Sequence, residues 1–204
     1  MGITERKERD KQEMRKNIID AAMHMFTQEG YENASIRKIA DKIEYSPATI
    51  YLYYKDKDEL LYDVQGECFS ELVEIFRKKA TAEDPFVRLG QISKAYVTYG
   101  LDNPQTYDLM FTMKSPMNNI EKDEVWQNAD DAFGLLAKCI HECIGQGLIR
   151  FDHVLLGALS VWSMGHGLIS LNNSCRMKVM NMDEEQVRQS VFMAIETYLN
   201  QIRK

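Results

Sequence analysis

The sequence lacks the features of membrane and secreted proteins. Its 204 residues contain no uninterrupted apolar run that approaches the roughly 18–20 residues of a membrane-spanning helix. The start of the chain is mostly charged and has no apolar segment of the kind found in signal peptides. Four cysteines are too few and too scattered for a disulfide framework. We therefore expect a cytoplasmic protein with no membrane partner.

Signatures of catalysis are missing as well. The sequence has neither a glycine-rich phosphate-binding loop nor the Gly-x-Ser-x-Gly turn of hydrolases. We therefore expect that the protein is not an enzyme and that it holds no cofactor and no metal. A net charge of −6 at pH 7 argues, at first sight, against a nucleic-acid partner.

Strands are not indicated, because no alternating Val/Ile/Thr-rich run bounded by turns occurs. Apolar residues instead recur at helical spacing between glycines and only four prolines. Gly30 and Gly147 follow predicted helices, where glycine enters the left-handed region at no steric cost. The predicted N-cap residues are Ser35, Ser46, Asp84, Asp152 and Asp183. These patterns predict an all-α fold of about nine helices.

Residues 35–61 have the form of a helix-turn-helix. Ser35 precedes a short amphipathic helix, and Ser46-Pro47 begins a very short second helix. A helix that enters the DNA major groove must present its side chains from one exposed face. We predict that Ile50 is buried and that its neighbours face outward. Spacing alone leaves open a second interpretation, in which the short helix is a packed connector.

The side chains expected to contact DNA offer hydroxyl groups, positive charge or small apolar surface around the second helix. Hydroxyl and basic groups are the usual partners of phosphates, and apolar groups suit thymine methyls. The predicted DNA-binding residues are Ser35, Arg37, Ser46, Pro47, Ala48, Thr49, Tyr51, Leu52, Tyr53, Lys55 and Lys57.

The same stretch resembles the N-terminal domain of TetR-family transcriptional regulators. The resemblance covers about residues 10–62 and is carried by SIRKIA at 35–40, TIY at 49–51 and YYKDKDELL at 53–61. It implies an all-helical homodimer that binds a double-stranded DNA operator. It also implies a helix-turn-helix domain at 1–57 and a helical ligand-binding and dimerisation domain at 58–204.

Three positions depart from the usual pattern of this family. Glu44 stands in the turn where the family usually has glycine, and Pro47 and Ala48 replace a lysine and a glycine. If the backbone at Glu44 has a positive φ, we expect a cost of about 1 kcal/mol. These changes affect base preference more than the fold.

The C-terminal half resembles one subgroup of TetR C-terminal domains, through the Trp162 to Leu168 segment and the Asn103 to Phe111 segment. The resemblance implies a repressor that leaves its operator when a small molecule binds. An aromatic and Met-rich set of residues suits an apolar or aromatic effector. The predicted pocket residues are Tyr99, Tyr107, Phe111, Trp126, Phe133, Met164 and His166.

The segment at 154–171 is apolar nearly all round, so as a helix it needs cover on every side. Together with the last helix it predicts a four-helix seam between two subunits. The predicted interface residues are Val161, Leu168, Val191, Ile195 and Tyr198. Gly167 is expected to allow a close approach of a neighbouring element beside His166.

Two alternatives remain from the sequence. Cys139 and Cys143 share a helix face and, together with His166, could form a thiol or metal sensor. The chain could also be a helical interaction module that does not bind DNA.

The distribution of charge weakens the argument against DNA. Residues 1–57 hold 11 basic and 10 acidic side chains, so the −6 belongs mostly to the remainder of the chain. We therefore expect any DNA binding to depend on a small basic surface and to be sensitive to salt.

Overall fold

The computed structural model describes residues 2–113 and 127–204. These residues form nine α-helices and, as β-structure, only an isolated bridge between Ile149 and Arg203, which confirms the all-α prediction. The helices are α1 (Ile3–Gln28), α2 (Ile36–Lys42), α3 (Pro47–Tyr51), α4 (Lys57–Lys79), α5 (Pro85–Asp102), α6 (Pro104–Phe111), α7 (Gln127–Gly145), α8 (Val154–Asn173) and α9 (Glu184–Ile202). A 3-10 turn at Arg176–Met180 separates the last two.

Most predicted helix starts are confirmed by their cap hydrogen bonds. Ser35, Ser46, Asp84 and Asp183 each accept a backbone N–H of the helix that follows. The assignment of Asp152 as N-cap is wrong, because α8 starts at Val154 and its N-cap residue is His153, whose side chain makes no cap hydrogen bond. The sequence also predicts a helix from about residue 122, a start that lies outside the described residues.

Two glycines and one glutamate close turns with a positive φ. Gly30 has φ 82° and Gly147 has φ 67°, as their predicted positions after helices require. Glu44, in the turn between α2 and α3, has φ 60°. The condition stated for this departure from the family pattern is therefore met, and an L-residue with a side chain is strained in this region.

The substitution Glu44→Gly should therefore stabilise the protein by about 1 kcal/mol, because it relieves the left-handed strain in the turn. The expected result is a higher urea midpoint at an unchanged slope of the unfolding transition. Tyr45→Gly is the matched control, since its φ is not positive and the added chain entropy should only destabilise. A lower midpoint for Glu44→Gly would contradict the prediction.

The chain divides into two compact units. The N-terminal unit comprises residues 2–68 and 108–113 of the described chain, and the C-terminal unit comprises 69–107 and 127–204. The N-terminal unit extends past the predicted boundary at 57 because Leu60, Leu61 and Val64, in the first turns of α4, are fully buried. In the C-terminal unit α5 packs against α7, α8 and α9.

Close packing on α8 depends on glycines other than the predicted one. A Cβ on Gly157 would lie 2.9 Å from Ile140, and one on Gly165 would lie 3.2 Å from Tyr96. A Cβ on Gly167 would meet nothing within 4 Å, so the role expected for Gly167 belongs to Gly165.

Helix α8 is long and apolar enough to cross a membrane by length and composition, with a mean hydropathy of 1.5. The apolar stretch of α8 is not uninterrupted, because serines and His166 lie among its apolar residues. Its face with Gly157, Ala158, Val161, Gly165 and Ile169 is buried within the C-terminal unit. The opposite face carries exposed leucines.

Candidate DNA-binding surface and effector site

The short helix α3 is held by its cap and by one buried anchor. The Ser46 hydroxyl accepts the Thr49 backbone N–H at 3.3 Å and lies 3.0 Å from the Thr49 hydroxyl. Pro47 occupies the first turn, where a backbone N–H would have no partner within the helix, so the missing N–H of proline costs nothing. Ile50 is fully buried, as predicted, and Tyr54 just beyond the helix is buried as well. One face of α3 is thereby fixed against the N-terminal unit.

The opposite face of α3 is exposed and includes large apolar surface. Tyr51 is 56% exposed and Leu52 is 81% exposed. These two neighbouring side chains offer apolar surface that is available to a partner. Of the other predicted contact residues, Ser35, Arg37, Ser46, Ala48 and Lys55 are exposed, and Pro47, Thr49, Tyr53 and Lys57 are half-buried.

Lys57 differs from the other basic residues because its ammonium group is already engaged. It donates to the carbonyl oxygens of Tyr31 at 2.8 Å and Ala34 at 3.1 Å, and it lies 4.0 Å from the Tyr31 ring centroid. Tyr31 also donates its hydroxyl to Asp58. These contacts tie the α1–α2 connection to the start of α4, so Lys57 positions the helices of this unit.

A second cluster of polar aromatic groups lies within the C-terminal unit. Trp162 donates its Nε1–H to the Tyr96 hydroxyl at 3.0 Å. The Tyr96 hydroxyl also lies 2.9 Å from the Tyr107 hydroxyl. Tyr107 in turn reaches His166 Nδ1 at 2.5 Å, and His166 Nε2 lies 3.4 Å from the Ser170 hydroxyl. We call these five residues the aromatic network.

A neutral His166 allows every hydrogen bond of the network to have a donor and an acceptor. A His166 that carries its proton on Nε2 accepts from Tyr107 at Nδ1 and donates to Ser170. Tyr107 then accepts from Tyr96, which accepts from Trp162. Burial lowers the pKa of His166 below its ordinary value, in agreement with a neutral ring. The network therefore presents aromatic and neutral polar groups.

His166 should make stability depend on pH. Because its pKa is lower in the folded state than the 6.5 of the unfolded chain, acid protonates the unfolded state first. Its contribution to stability is complete above about pH 6.5 and is lost as pH falls through the folded pKa. We expect His166→Gln to flatten the fall in urea midpoint below pH 6.5, and His141→Gln, on an exposed residue, to retain it. Equal slopes in both variants would refute this assignment.

The structure brings some predicted pocket residues together. Tyr107 stacks on His166 with ring centroids 5.6 Å apart, and Phe133 packs edge-on against Trp162 at 5.9 Å. Tyr99 is buried and directs its hydroxyl to Glu71 at 3.4 Å. Met164 is a half-buried residue of the same unit. Phe111 belongs to the N-terminal unit, and Trp126 lies outside the described residues.

Tyr96 and Trp162 are network members that the predicted pocket omits. Trp162, His166 and Ser170 are spaced four residues apart, which places them on one face of a helix and is visible in the sequence. Tyr96 carries no such local signal, because it joins the network across the packing of α5 against α8.

The proposed three-residue sensor is not assembled. Cys139 and Cys143 are buried on α7, and the Cys139 thiol donates to the Pro85 carbonyl at 3.2 Å. Their mutual hydrogen bond lowers the pKa of Cys139 and raises that of Cys143, whereas the nearby Arg88 lowers the pKa of both. His166 is engaged in the aromatic network instead. Across residues 2–113 and 127–204 no group of three potential metal ligands occurs.

The residues predicted for a subunit interface need correction. Val161, Val191 and Ile195 are buried within the single chain, so they have no surface left to offer a partner. Tyr198 bonds to Ser160 of α8 and, like Leu168, is half-buried. The exposed apolar residues of α8 and α9 are instead Leu155, Leu156, Leu159, Leu171 and Met193. Helical periodicity identified both helices as apolar, and three of its five interface residues lie on the inward face.

Comparison with known proteins agrees with this geometry. Residues 18–64 match the family described as bacterial regulatory proteins, tetR family. Residues 89–198, just over half of the chain, match the tetracyclin repressor-like C-terminal domain.

Curated relatives and solved structures point the same way. The fatty acid metabolism regulator protein of Bacillus subtilis is 34% identical over 71 residues, covering 33% of this chain and 37% of its own. The repressor KstR of Mycobacterium tuberculosis is 33% identical over 88 residues, covering 41% and 40%. The chain thus spans about two fifths of the curated relatives it matches.

A TetR-family transcription regulator from Marinobacter aquaeolei has the same fold, with a TM-score of 0.69 at 19% identity. The match covers 97% of this chain and 99% of that one. The helix-turn-helix matches the family at one end of the chain, and the helical domain matches it over most of the rest. The chain therefore belongs to the TetR family of bacterial regulatory proteins.

Proposed function

We propose that this protein is a cytoplasmic transcriptional repressor that binds a double-stranded DNA operator as a homodimer and is released by a small molecule. The observation that carries the proposal is the exposed face of α3, where Tyr51 and Leu52 project from a helix fixed by Ser46 and Ile50. A tightly held short helix with one bare face meets the steric requirement for major-groove readout.

The homodimer follows from the outward face of α8. Leu156, Leu159 and Leu171 lie on the side of the helix opposite the side buried in the C-terminal unit, and Leu155 is exposed at the edge of this surface. A second copy of the chain, packed through this leucine face and Met193 of α9, removes these side chains from water. Two recognition helices then address successive major grooves, about 34 Å apart.

The effector is proposed to be an apolar or aromatic molecule bound beside the aromatic network. Aromatic walls with a few neutral polar groups suit such a ligand better than an ionic one. One relative is named for fatty acid metabolism, which fits an apolar effector. The other, KstR, is named a repressor, which fits the proposed mode of regulation. Helix α4 runs unbroken from the N-terminal unit into the C-terminal unit, so it is the proposed lever.

An effector releases DNA only by binding the released state more tightly, and the coupling is typically about 1–3 kcal/mol. That coupling corresponds to a loss of operator affinity of about 5- to 150-fold at saturating effector.

Selection of bound duplexes from a random pool tests the proposal. We expect a two-fold-symmetric sequence to be enriched, and its affinity to fall steeply as salt rises. Compounds that release the protein from this duplex then identify the effector class, with fatty acids and small aromatic compounds as the first two sets. Failure to enrich any duplex would favour the helical interaction module.

A further inference from the structure

The first half of α1 extends beyond the packed part of the N-terminal unit. The described side chains of residues 4–13 are all exposed, and the first buried residue of the helix is Ile18. The match to the TetR DNA-binding domain also begins only at residue 18. We call residues 3–16 the arm. It is helical without burying an apolar face, so packing does not explain its presence.

The charges of the arm are divided between its two sides. Arg6 lies 3.9 Å from Asp10, and Arg9 lies 3.7 Å from Glu13, so these arginines are paired with carboxylates. Lys7 and Lys11 have no ion pair among the described residues. The arm therefore has one neutralised side and one side with free positive charge.

The free lysines point to the same side of α1 as its buried residues. Lys7, Lys11 and Ile18 are spaced by four and seven residues, which places them on one helix face. Ile18 and Ala22 on this face pack into the N-terminal unit. The lysines thus lie on the face by which α1 packs into the N-terminal unit, whereas Arg6 and Arg9 lie on another face of the helix.

The base of the arm is fixed next to the end of the recognition helix. Arg15 bonds to Asp63 through Nε at 2.9 Å and through Nη2 at 2.5 Å, and it lies 5.5 Å from the Tyr54 ring centroid. Tyr54 follows α3 by three residues and bonds to the same carboxylate at 2.8 Å. The arm is consequently anchored beside the buried residue that follows the C-terminal end of α3.

From these observations we propose that the arm is a second DNA-binding element, in which Lys7 and Lys11 contact phosphates outside the sequence read by α3. The inference rests on the proposed DNA-binding function and extends it. From Ile3 to Arg15 the helix rises about 18 Å, which corresponds to about five base pairs of flanking duplex. The contact adds affinity without base preference, because phosphates carry no sequence information.

The test compares two double variants with equal charge loss on the full-length protein. Lys7→Gln/Lys11→Gln removes the free charges, and Arg6→Gln/Arg9→Gln removes the paired ones from the other side of the same helix. Affinity is measured by fluorescence anisotropy against salt, on a selected operator with flanks of ten base pairs and on one trimmed to its recognised sequence. Circular dichroism verifies that both variants keep their helix content.

We expect Lys7→Gln/Lys11→Gln to bind the long duplex about tenfold more weakly and to lower the salt slope by about 0.9 for each phosphate that the variant no longer neutralises. Trimming the flanks should weaken the unmodified protein and Arg6→Gln/Arg9→Gln, but should leave the lysine variant unchanged. Equal losses in both variants, or no effect of the flanks on the unmodified protein, would overturn the arm proposal while operator binding stands. Absence of binding to any selected duplex would overturn both proposals.

Discussion

Replacing Tyr51 with alanine is expected to weaken operator binding by about 1–3 kcal/mol for each recognition helix, which is roughly 5- to 150-fold for each half-site. The side chain is 56% exposed on α3, so its removal takes away a DNA contact and little folded-state packing. The fold of this unit depends instead on Ile50 and Tyr54, which are buried. The measurement is the dissociation constant for the selected operator at fixed salt.

Tyr45→Ala is the matched control, because Tyr45 is 46% exposed but lies in the turn before α3. It should bind nearly as well as the unmodified protein, and both variants should remain dimers in sedimentation. Tyr51→Phe separates the hydroxyl from the ring: a loss as large as that of alanine assigns the contact to the hydroxyl. Affinity of Tyr51→Ala within twofold of the unmodified protein would show that Tyr51 does not contact the operator.

Replacing Leu156 and Leu159 together with aspartate is expected to convert the dimer into a monomer. Burial of a leucine side chain contributes about 1.5–3 kcal/mol, and each residue occurs twice in a symmetric interface. The loss should raise the dimer dissociation constant by at least about a thousandfold. Since both leucines are exposed in the single chain, the folded monomer should survive the change.

Analytical ultracentrifugation at micromolar concentration measures this outcome. Val87→Asp is the control, because Val87 is similarly exposed but lies in the first turn of α5, where a negative charge suits the helix dipole. The monomeric variant should also lose operator affinity, since only one half-site can be occupied at a time. A dimer that persists in Leu156→Asp/Leu159→Asp would exclude this face of α8 as the interface.

The helix-turn-helix could be predicted closely because its determinants are local. Ser35 and Ser46 cap helices through backbone groups three residues away, and Ile50 occupies the position that the pattern assigned to the interior. The turn at Glu44 was also predicted correctly, since a positive φ there follows from the family pattern of glycine. Such features depend on short stretches of chain, whatever packs around them.

The C-terminal unit was predicted less well because its determinants are distant in sequence. Gly165 and Gly167 are indistinguishable by type and lie on the same helix, yet only Gly165 faces Tyr96. Likewise, Val161 and Leu159 are both apolar, and only the neighbouring helices decide that Val161 is buried. Apolar periodicity is weakest where a helix is apolar on nearly all sides, as α8 is.

By itself, the sequence determined the all-α class, the capped recognition helix and the family, because helix propensity, capping and turn chemistry are encoded within a few residues. Tertiary structure alone decided which side of α8 is buried, how Tyr96 joins Tyr107 and His166, and that Arg15 anchors the arm beside Tyr54. These contacts join residues 11 to 59 positions apart. Their geometry is set by how helices pack, which no local pattern specifies.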